Sequence, residues 1–363
     1  MTGTDPFAVL DRIELRERVA AALQTFLNPD TTLLAPVGPE PTELLEAVRR
    51  FVLHGGKRIR PAFCFWGWRG AGGADCAAIV QAAASLELLH ACALVHDDVM
   101  DASDLRRGRP AVHRDFAARH RDAVWRGTAE TFGTAAAVLL GDLCLIWADV
   151  MLTTCELDDT ALQRARPVYD EMRVELMAGQ YLDLVEQSRG TGSLAAALRV
   201  ARYKSAKYTI ERPLHLGGTL AGARPELLDG YSRYGLPLGE AFQLRDDVLG
   251  VFGDPDLTGK PAGDDLREGK RTVLVAVALD RASPSQAALI ERHLGDPGLA
   301  DDGVAALQTV FEETGALAHA ERLIDELLAR ALEALHRLPG TALDGEARDV
   351  LAELAVTVTA RGR

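Results

Sequence analysis

The sequence is poor in basic charge, in paired cysteines and in the alternating patterns of β-strands. Its 363 residues carry 40 Lys and Arg against 53 Asp and Glu, a formal net charge of −13, which argues against a general binder of nucleic acid or of anionic membranes. The five cysteines form no C-x-x-C pair, and their apolar neighbours favour core residues over metal ligands or disulfides. Ala and Leu dominate while β-branched alternation is scarce, so an all-α fold is predicted.

Targeting and domain signals are also missing. The N-terminal segment has acids where a signal peptide needs a basic start and an apolar core. No uninterrupted apolar run reaches the ~20 residues of a membrane span, so a cytoplasmic protein without a membrane span is expected. The length allows one large domain or two, but no linker or fixed-period repeat is visible, and a single domain over residues 1–363 is predicted.

Helical periodicity predicts most of the secondary structure. Helices are expected at residues 8–27, 42–53, 75–101, 129–152, 159–187, 194–209 and 225–253. Residues 113–126 are expected to form a loop or a short helix. Arg212-Pro213 should interrupt the sixth helix, and Pro237 could kink the last one.

An acidic run ends the most apolar stretch of the chain. Asp97, Asp98 and Asp101 form a D-D-x-x-D pattern after the apolar residues 86–95. Residues four apart on a helix are neighbours, so Asp97 and Asp101 share a face, and Asp104 joins them if the helix extends that far. A solvated helix end is the simplest explanation of such a run. The apolar residues before it place these carboxylates at the mouth of a buried helix, where they suggest Mg²⁺, which takes one or two carboxylates together with phosphate oxygens and water.

Basic residues and a second acid pair reinforce a diphosphate site. Arg106, Arg107 and Arg109 follow the first acidic run, and arginine suits bidentate contact with phosphate. Asp246 and Asp247 form the second pair. Two weaker signals accompany them. His90 lies seven residues before Asp97 on the same helix face, where a core histidine and a ligand contact are equally plausible. The segment H-G-G-K-R-I-R-P at residues 54–61 is a basic helix end by itself, and its weight comes from the acids downstream.

These motifs together resemble the trans-isoprenyl diphosphate synthases, the head-to-tail prenyl-chain elongation enzymes that include farnesyl and geranylgeranyl diphosphate synthases. The motifs G-G-K-R-I-R-P, L-V-H-D-D-V-M-D, the helix with Lys204, and F-Q-L-R-D-D followed by G-D-D-L-R-E-G-K-R-T occur in the family's order. The resemblance covers about residues 50–275 by motif. It implies a single polyprenyl synthetase domain, an all-α bundle of the isoprenoid synthase type around a deep central apolar cavity, and a homodimer.

The resemblance also implies residue roles and partners. The substrates would be isopentenyl diphosphate and an allylic diphosphate (dimethylallyl, geranyl or farnesyl), with about three Mg²⁺ ions per site. Metal ligands would be Asp97, Asp101 and Asp246, with Asp98 and Asp247 beside them. The allylic diphosphate would be bound by Arg106, Lys204, Gln243 and Lys260, with Lys270 joining on closure. Isopentenyl diphosphate would be bound by Lys57, Arg60, His90 and Arg107.

One departure from the family pattern concerns the second acid motif, which reads D-D-V-L-G. Gly250 stands where many members have a final Asp. That position is often an indirect ligand, so activity should survive, and Asp254, one turn further on, is a candidate replacement. Gly250→Asp should be tolerated or mildly activating.

The residues before Asp97 predict the product length. Cys92 and Ala93, about one turn before Asp97, are small, whereas farnesyl-making relatives commonly carry an aromatic residue at this level. Leu89 and Leu86 lie one and two turns deeper. Since an isoprene unit is about as long as one helical turn, about 5 Å, geranylgeranyl diphosphate (C20) is the expected main product. Farnesyl diphosphate and chains of C25 or more are the alternatives.

Two other functions remain open from the sequence. A class I terpene cyclase shares the D-D-x-x-D motif, but it has no use for a second diphosphate site at Lys57 and Arg60, and its usual second metal motif is absent. A catalytically silent partner subunit would usually have lost an acid cluster, and Gly250 is the feature in its favour.

Overall fold

Helices make up nearly all of the regular structure in the computed structural model, which describes residues 13–28, 34–190, 192–254 and 263–360. The helices of the first half are α1 Leu15–Phe26, a 3₁₀ turn Ala35–Val37, α2 Thr42–Leu53, α3 Ile59–Gly70, α4 Ala77–Met100, α5 Val112–Asp122, α6 Ala129–Thr153 and α7 Asp159–Arg189. Two short antiparallel strands, β1 Leu105–Arg106 and β2 Arg109–Pro110, follow α4.

The second half of the chain is also helical. It contains α8 Leu194–Val200, a π-helix Ala201–Glu211, α9 Arg212–Leu220, α10 Pro225–Phe252, α11 Asp264–Arg267, α12 Val273–Arg281, α13 Pro284–His293, α14 Asp301–Glu313, α15 Ala316–His336 and α16 Gly345–Thr359. The predicted all-α fold is confirmed.

The central helix α4 is buried on nearly every side. Residues 82–89 are all buried, as expected for a helix that is apolar around its whole circumference. Its main neighbours are α6, α3 and α1. This helix therefore carries the first acid motif from the core of the bundle to its surface.

The segment from residue 194 to residue 220 differs from the prediction. Arg212-Pro213 does not interrupt the helix, and Pro213 falls in the first turn of α9, a position where proline is common. The chain therefore runs from α8 through the π-helix into α9. A π-helix is rare and frequently marks a functional site, and this one contains Lys204.

The other predicted elements agree within a few residues. Helix α5, Val112–Asp122, covers most of residues 113–126, for which a loop or short helix is predicted. Pro237 lies inside α10 without ending it. The first predicted helix began at residue 8, and its described part runs from Leu15 to Phe26.

Two helices, α4 and α6, are long and apolar enough to cross a membrane, judged by length and composition. Their most apolar windows are 72% and 50% buried inside the structure. Single polar residues such as Glu87 and Asp142 divide both helices, so neither contains an uninterrupted apolar run of about 20 residues. Core helices of this composition pass the same test, so the observation is weak evidence for a span.

Candidate active site

The first acid motif lies where α4 ends. Asp97 and Asp98 are in the last turn, and Asp101 caps the helix. The side chains of Asp97 and Asp101 are only 13% and 2% exposed. These two carboxylates are therefore largely shielded from solvent at the end of α4, here called the mouth of the bundle. Asp104 does not extend the stripe, because the chain leaves the helix at Ala102, whose φ is 54°. Its side chain is 76% exposed.

Asp98 has a different environment from its two neighbours. Its side chain is fully buried and accepts a hydrogen bond from Arg106 Nε at 2.8 Å. Burial alone would lower the pKa of Arg106, but the charge of Asp98 outweighs burial and raises it. Asp98 therefore holds Arg106 as a permanent cation at the mouth.

Lys204 reaches Asp97 from the π-helix. Its Nζ donates hydrogen bonds to Asp97 Oδ1 at 2.9 Å and to Asp183 Oδ2 at 2.7 Å. Asp97 Oδ1 also accepts a hydrogen bond from Gln180 Nε2 at 2.8 Å. Burial would raise the pKa of Asp97 and lower that of Lys204, but the attraction between opposite charges outweighs burial for both groups. The pKa of Asp97 is therefore lowered and that of Lys204 raised, so both are charged at neutral pH.

Two glycines allow the π-helix to approach its neighbours closely enough for these contacts. A Cβ atom on Gly179 of α7 would lie 2.4 Å from the backbone nitrogen of Lys204. A Cβ atom on Gly239 of α10 would lie 2.6 Å from Ala206 Cα. Both distances are shorter than real Cβ contacts, so only glycine fits at these positions. The close packing of α7 and α10 against the π-helix positions Lys204.

Lys270 approaches the first acid motif from the segment that begins at residue 263. Its Nζ lies 3.1 Å from Asp265 Oδ1, 2.5 Å from Glu268 Oε2 and 3.6 Å from Asp101 Oδ2. Ser103 Oγ donates a hydrogen bond to Glu268 Oε1 at 2.6 Å, which ties this segment to the chain just after α4. Burial would lower the pKa of Lys270, but Asp265 and Glu268 outweigh burial and raise it well above its usual value.

The second acid motif lies on α10, and its two acids differ. Asp246 is exposed, whereas Asp247 is buried. Gln243 Nε2 donates a hydrogen bond to Asp247 Oδ1 at 2.7 Å. Burial raises the pKa of Asp247 to about 8, and the nearby charge of Asp265 adds to the rise. Asp246 is thus the acid of this pair that faces solvent.

Asp265, and not Asp254, lies at the position where the acid is missing. A Cβ atom on Gly250 would be 2.0 Å from Asp265 Oδ2. Asp254 is exposed and follows the end of α10, so the structure replaces Asp254 with Asp265 as the neighbour of Gly250. The expectation that Gly250→Asp is tolerated ignored this carboxylate. Lys260, assigned to the allylic diphosphate by resemblance, lies outside the described residues.

A basic cluster lies deeper along α4. Arg60 Nη2 donates a hydrogen bond to Thr209 Oγ1 at 2.8 Å, and its guanidinium carbon lies 4.1 Å from the centre of the Tyr208 ring. The Tyr208 hydroxyl is 2.9 Å from His90 Nδ1. Lys57 is exposed beside this cluster in sequence. The π-helix therefore positions Arg60 and His90 as well as Lys204.

The neighbouring arginines have separate tasks. Arg58 is buried and forms an ion pair with Glu87 of α4, so its role is to stabilise the contact with α4 rather than to bind substrate. Arg107 is exposed in the turn between β1 and β2. Burial, followed by the charges of Arg60 and Arg107, holds the pKa of His90 well below its usual value. His90 is therefore neutral at physiological pH.

The predicted chain-length residues on α4 differ in their exposure. Ala93 is partly exposed and lies one turn before Asp97 on the same face. Cys92, Leu89 and Leu86 are at most 1% exposed. Ala93 is thus the member of this set that borders open space in the structure.

Several residues without an assigned role take part in these contacts. Gln180 and Asp183 were recognisable as polar residues three apart on an apolar helix face, a pattern typical of a helix lining a polar site. Tyr208, Thr209, Asp265 and Glu268 gave no comparable local signal. Their partners are distant in the sequence, so their roles depend on the tertiary structure.

The first acid motif fits a divalent cation. Within the described parts of the chain, no group of three or more His, Cys, Asp or Glu side chains forms a ready-made metal site. Both Asp101 carboxylate oxygens are buried and accept no hydrogen bond from the residues that the structure describes. Burial and the charge of Asp97 raise the pKa of Asp101 to about 7. Asp97 and Asp101 thus suit Mg²⁺, which takes few carboxylates and completes its shell with diphosphate oxygens and water.

Comparison with known proteins gives consistent matches. The sequence matches the model of the polyprenyl synthetase family over residues 41–312. It is 31% identical over 315 residues to geranylfarnesyl diphosphate synthase of Aeropyrum pernix, spanning 86% of this chain and 92% of that protein. It is 32% identical over 331 residues to octaprenyl diphosphate synthase of Escherichia coli, spanning 89% and 90%. The fold matches a crystal structure of geranylgeranyl pyrophosphate synthase from Corynebacterium glutamicum, complexed with isoprenyl diphosphate and magnesium, with a TM-score of 0.92, 43% identity and coverage of 96% and 99%.

The all-α fold, with acids and cations gathered at one end of a central helix, is that of an isoprenoid synthase. The chain belongs to the polyprenyl synthetase family and is a trans-isoprenyl diphosphate synthase by descent. Enzymes of this family are prenyltransferases that use isopentenyl and allylic diphosphates. The relatives are named for products of different length, so family membership does not determine the product.

Proposed function

We propose that this enzyme joins isopentenyl diphosphate head-to-tail to an allylic diphosphate in an Mg²⁺-dependent reaction, with geranylgeranyl diphosphate (C20) as main product. The observation that carries the proposal is the arrangement of two polar clusters along α4. Asp97 and Asp101 face Lys204 and Lys270 at the end of the helix, whereas His90, seven residues earlier, meets the basic cluster around Arg60. Two diphosphates can therefore bind without sharing ligands.

The acidic end of α4 binds the allylic diphosphate. Asp97, Asp101 and Asp246 hold Mg²⁺, with Asp98 and Asp247 beside them. Lys204, Lys270 and Arg106 supply fixed positive charge to the leaving diphosphate, and Gln243 contributes a polar contact. When bound, Mg²⁺ neutralises charge that develops on the leaving group.

The basic cluster binds isopentenyl diphosphate. Arg60 is suited to this because Thr209 and the Tyr208 ring fix its guanidinium in one place, which lowers the entropy lost on binding. Lys57 and Arg107 add charge from exposed positions. Neutral His90 contributes a hydrogen bond rather than a charge, because burial and the arginines lower its pKa.

The reaction needs no enzyme nucleophile. The bond between the allylic carbon and the diphosphate oxygen breaks, and the electron pair leaves with the diphosphate. The terminal carbon (C4) of the isopentenyl double bond then attacks the allylic cation, which leaves a cation at C3. A proton passes from C2 to the departed diphosphate, and its electron pair forms the new double bond between C2 and C3. The residues with fixed positive charge stabilise the leaving group, while apolar walls exclude water that would capture the cation.

The face of α4 before Asp97 supports the product length. Ala93 is small and borders open space, so the first isoprene level is unobstructed. Leu89 and Leu86 are buried and are of moderate size. A chain that passes Ala93 extends beyond the farnesyl length, which favours C20 over C15.

We also infer that the enzyme is a homodimer. Apolar side chains are exposed on both α6 and α7: Leu139 is 59%, Ile146 57%, Val174 68% and Tyr181 69% exposed. On each helix the two residues are seven apart and so share a face, and exposed apolar faces mark interaction surfaces. Sedimentation should give a dimer mass, and Leu139→Glu with Ile146→Glu should shift it to the monomer, whereas a wild-type monomer at all concentrations would refute the inference.

A diphosphate-release assay tests the proposed function. A synthase releases diphosphate only when Mg²⁺, isopentenyl diphosphate and an allylic primer are all present. A terpene cyclase would release diphosphate from the allylic substrate alone, and a silent subunit would release none. Either of these two outcomes would refute the proposal.

A further inference from the structure

Gly250 lies in the last turn of α10, four residues after Asp246. Residues four apart share a helix face, so a carboxylate at position 250 would complete the acid stripe of the second motif. Glycine inside a helix is less favourable than alanine and calls for a local reason. The reason here is spatial, because a Cβ atom at this position would lie 2.0 Å from Asp265 Oδ2 and 2.7 Å from Asp265 Cγ.

The backbone holds Asp265 in this position. The Gly263 amide donates a hydrogen bond to the Gly250 carbonyl at 3.1 Å, which brings the segment that begins at Gly263 against the end of α10. Gly263 has a φ of 75°, a conformation that other residues rarely adopt. The Lys270 amide donates a hydrogen bond to the Asp265 carbonyl at 3.0 Å. Backbone hydrogen bonds therefore hold the chain both before Asp265, at Gly263, and after it, at Lys270.

The side chain of Asp265 is also directed toward the mouth. Its Oδ1 lies 3.1 Å from Lys270 Nζ, and the same ammonium group lies 3.6 Å from Asp101 Oδ2 of the first acid motif. Asp265 thus stands beside the second motif and shares a cation with the first.

We propose that Asp265 is the third carboxylate of the second acid motif and that Gly250 is small so that Asp265 can take this place. The carboxylate comes from the segment after α10 instead of from α10 itself. Together with Asp246, it helps to hold Mg²⁺ against the allylic diphosphate, and Lys270 neutralises it in the absence of the ion. This role depends on the proposed function, because it assigns a residue within the same site.

Titration of Mg²⁺ into the enzyme with inorganic diphosphate, followed by calorimetry, tests the metal role without turnover. Asp265→Asn should weaken Mg²⁺ binding by about 10- to 100-fold, the effect typical of a supporting ligand. Asp254→Asn is the matched control, since it removes a carboxylate just beyond the end of α10, and it should change binding less than about twofold. Wild-type affinity in Asp265→Asn, or equal losses in both variants, would refute the assignment.

An exchange of the two positions tests the spatial part of the proposal. Gly250→Asp should weaken Mg²⁺ binding by about 10-fold or more, because its side chain collides with Asp265 and adds a like charge. Gly250→Asp with Asp265→Ala should bind Mg²⁺ better than either single variant, because α10 then supplies the third carboxylate. Circular dichroism confirms that each variant is folded. A double variant no better than Asp265→Ala, or a Gly250→Asp variant equal to wild type, would refute the proposal.

The outcomes separate this inference from the proposed function. If wild-type enzyme makes no prenyl diphosphate from isopentenyl diphosphate and geranyl diphosphate, the proposed function fails, while the Mg²⁺ titration still decides the role of Asp265. If wild type is active and Asp265→Asn binds Mg²⁺ normally, only this inference fails.

Discussion

Lys204 and Asp97 form a partly buried ion pair across the mouth of the bundle, with Nζ 2.9 Å from Oδ1. The π-helix supplies the ammonium group and α4 supplies the carboxylate. Asp183 shares the same ammonium at 2.7 Å. The carboxylate that the family resemblance assigns to Mg²⁺ is therefore already balanced by a cation, which lowers the cost of burying it before substrate binds.

Asp97→Ala should abolish turnover while the protein remains folded. Loss of the carboxylate removes a metal ligand, but Lys204 keeps its ion pair with Asp183, so no buried charge is left alone. Prenyl transfer and far-ultraviolet circular dichroism measure the two effects. Asp104→Ala is the control, because Asp104 is exposed and pairs with Arg114, and it should retain activity. Normal turnover by Asp97→Ala would contradict the assignment.

The two diphosphate sites should respond separately to substitution. Arg60→Ala should raise the KM for isopentenyl diphosphate, and Lys204→Ala should raise the KM for the allylic primer. Each loses a charge-assisted contact of about 1.5–3 kcal/mol, or about 10- to 150-fold. Lys57→Ala should act in the same direction as Arg60→Ala.

Steady-state kinetics with each substrate varied in turn measures this separation. Arg69→Ala is a suitable control, because Arg69 lies on the same helix as Arg60 but pairs with Glu346. Equal changes in both KM values for every variant would show that the sites are misassigned.

Arg58→Ala should lower the free energy of unfolding. Unlike Arg60→Ala, it should not selectively raise the KM for isopentenyl diphosphate. Its ion pair with Glu87 is buried, with side chains 6% and 4% exposed. Breaking such a pair leaves an isolated buried charge and costs about 3–5 kcal/mol. Urea denaturation measures the loss, and a change below about 1 kcal/mol would contradict the structural role of Arg58.

The free energy of unfolding should fall with acidification partly because of His90. Its folded pKa lies below its unfolded value, so the unfolded state binds more protons between the two values. The contribution is present above the unfolded pKa of about 6.5 and is lost as the pH falls below it. Between about pH 7 and pH 5, the free energy of unfolding of His90→Gln should fall less steeply than that of the wild type. Urea denaturation at several pH values measures it, and equal slopes for the two proteins would contradict this prediction.

Ala93→Phe should shorten the product to farnesyl diphosphate or less, because the aromatic ring fills the first isoprene level before Asp97. Leu89→Ala should lengthen the product by opening the next level. Chromatography of dephosphorylated products measures both shifts. Cys92→Ala is informative as a comparison, since Cys92 is fully buried and its truncation should change the length less than Leu89→Ala. If neither Ala93→Phe nor Leu89→Ala shifts the product length, the surface that limits chain growth is not this face of α4.

The sequence predicted what is encoded locally. Apolar periodicity gave α2, α4, α6 and α7 within a few residues, and the spacing of four placed Asp97 and Asp101 on one face. Roles set by tertiary packing were not accessible. Arg58 and Arg60 are two residues apart with the same charge, yet only the structure shows that Arg58 pairs with Glu87.

The same limit explains the second acid motif. The neighbour of Gly250 is fifteen residues downstream, and no periodic pattern links the two positions. Asp254, the nearest acid in sequence, was the reasonable expectation. Helix geometry carries no information about a chain that leaves the helix and returns, so Asp265 could be recognised only from the folded structure.

Product analysis tests the central claim most directly. Purified enzyme is incubated with Mg²⁺, isopentenyl diphosphate and, separately, dimethylallyl, geranyl or farnesyl diphosphate, and the products are identified by chromatography and mass spectrometry. The expected products are prenyl diphosphates longer than each primer, with geranylgeranyl diphosphate as the main product. Hydrocarbons or alcohols formed without isopentenyl diphosphate, or no product longer than any primer, would contradict this claim.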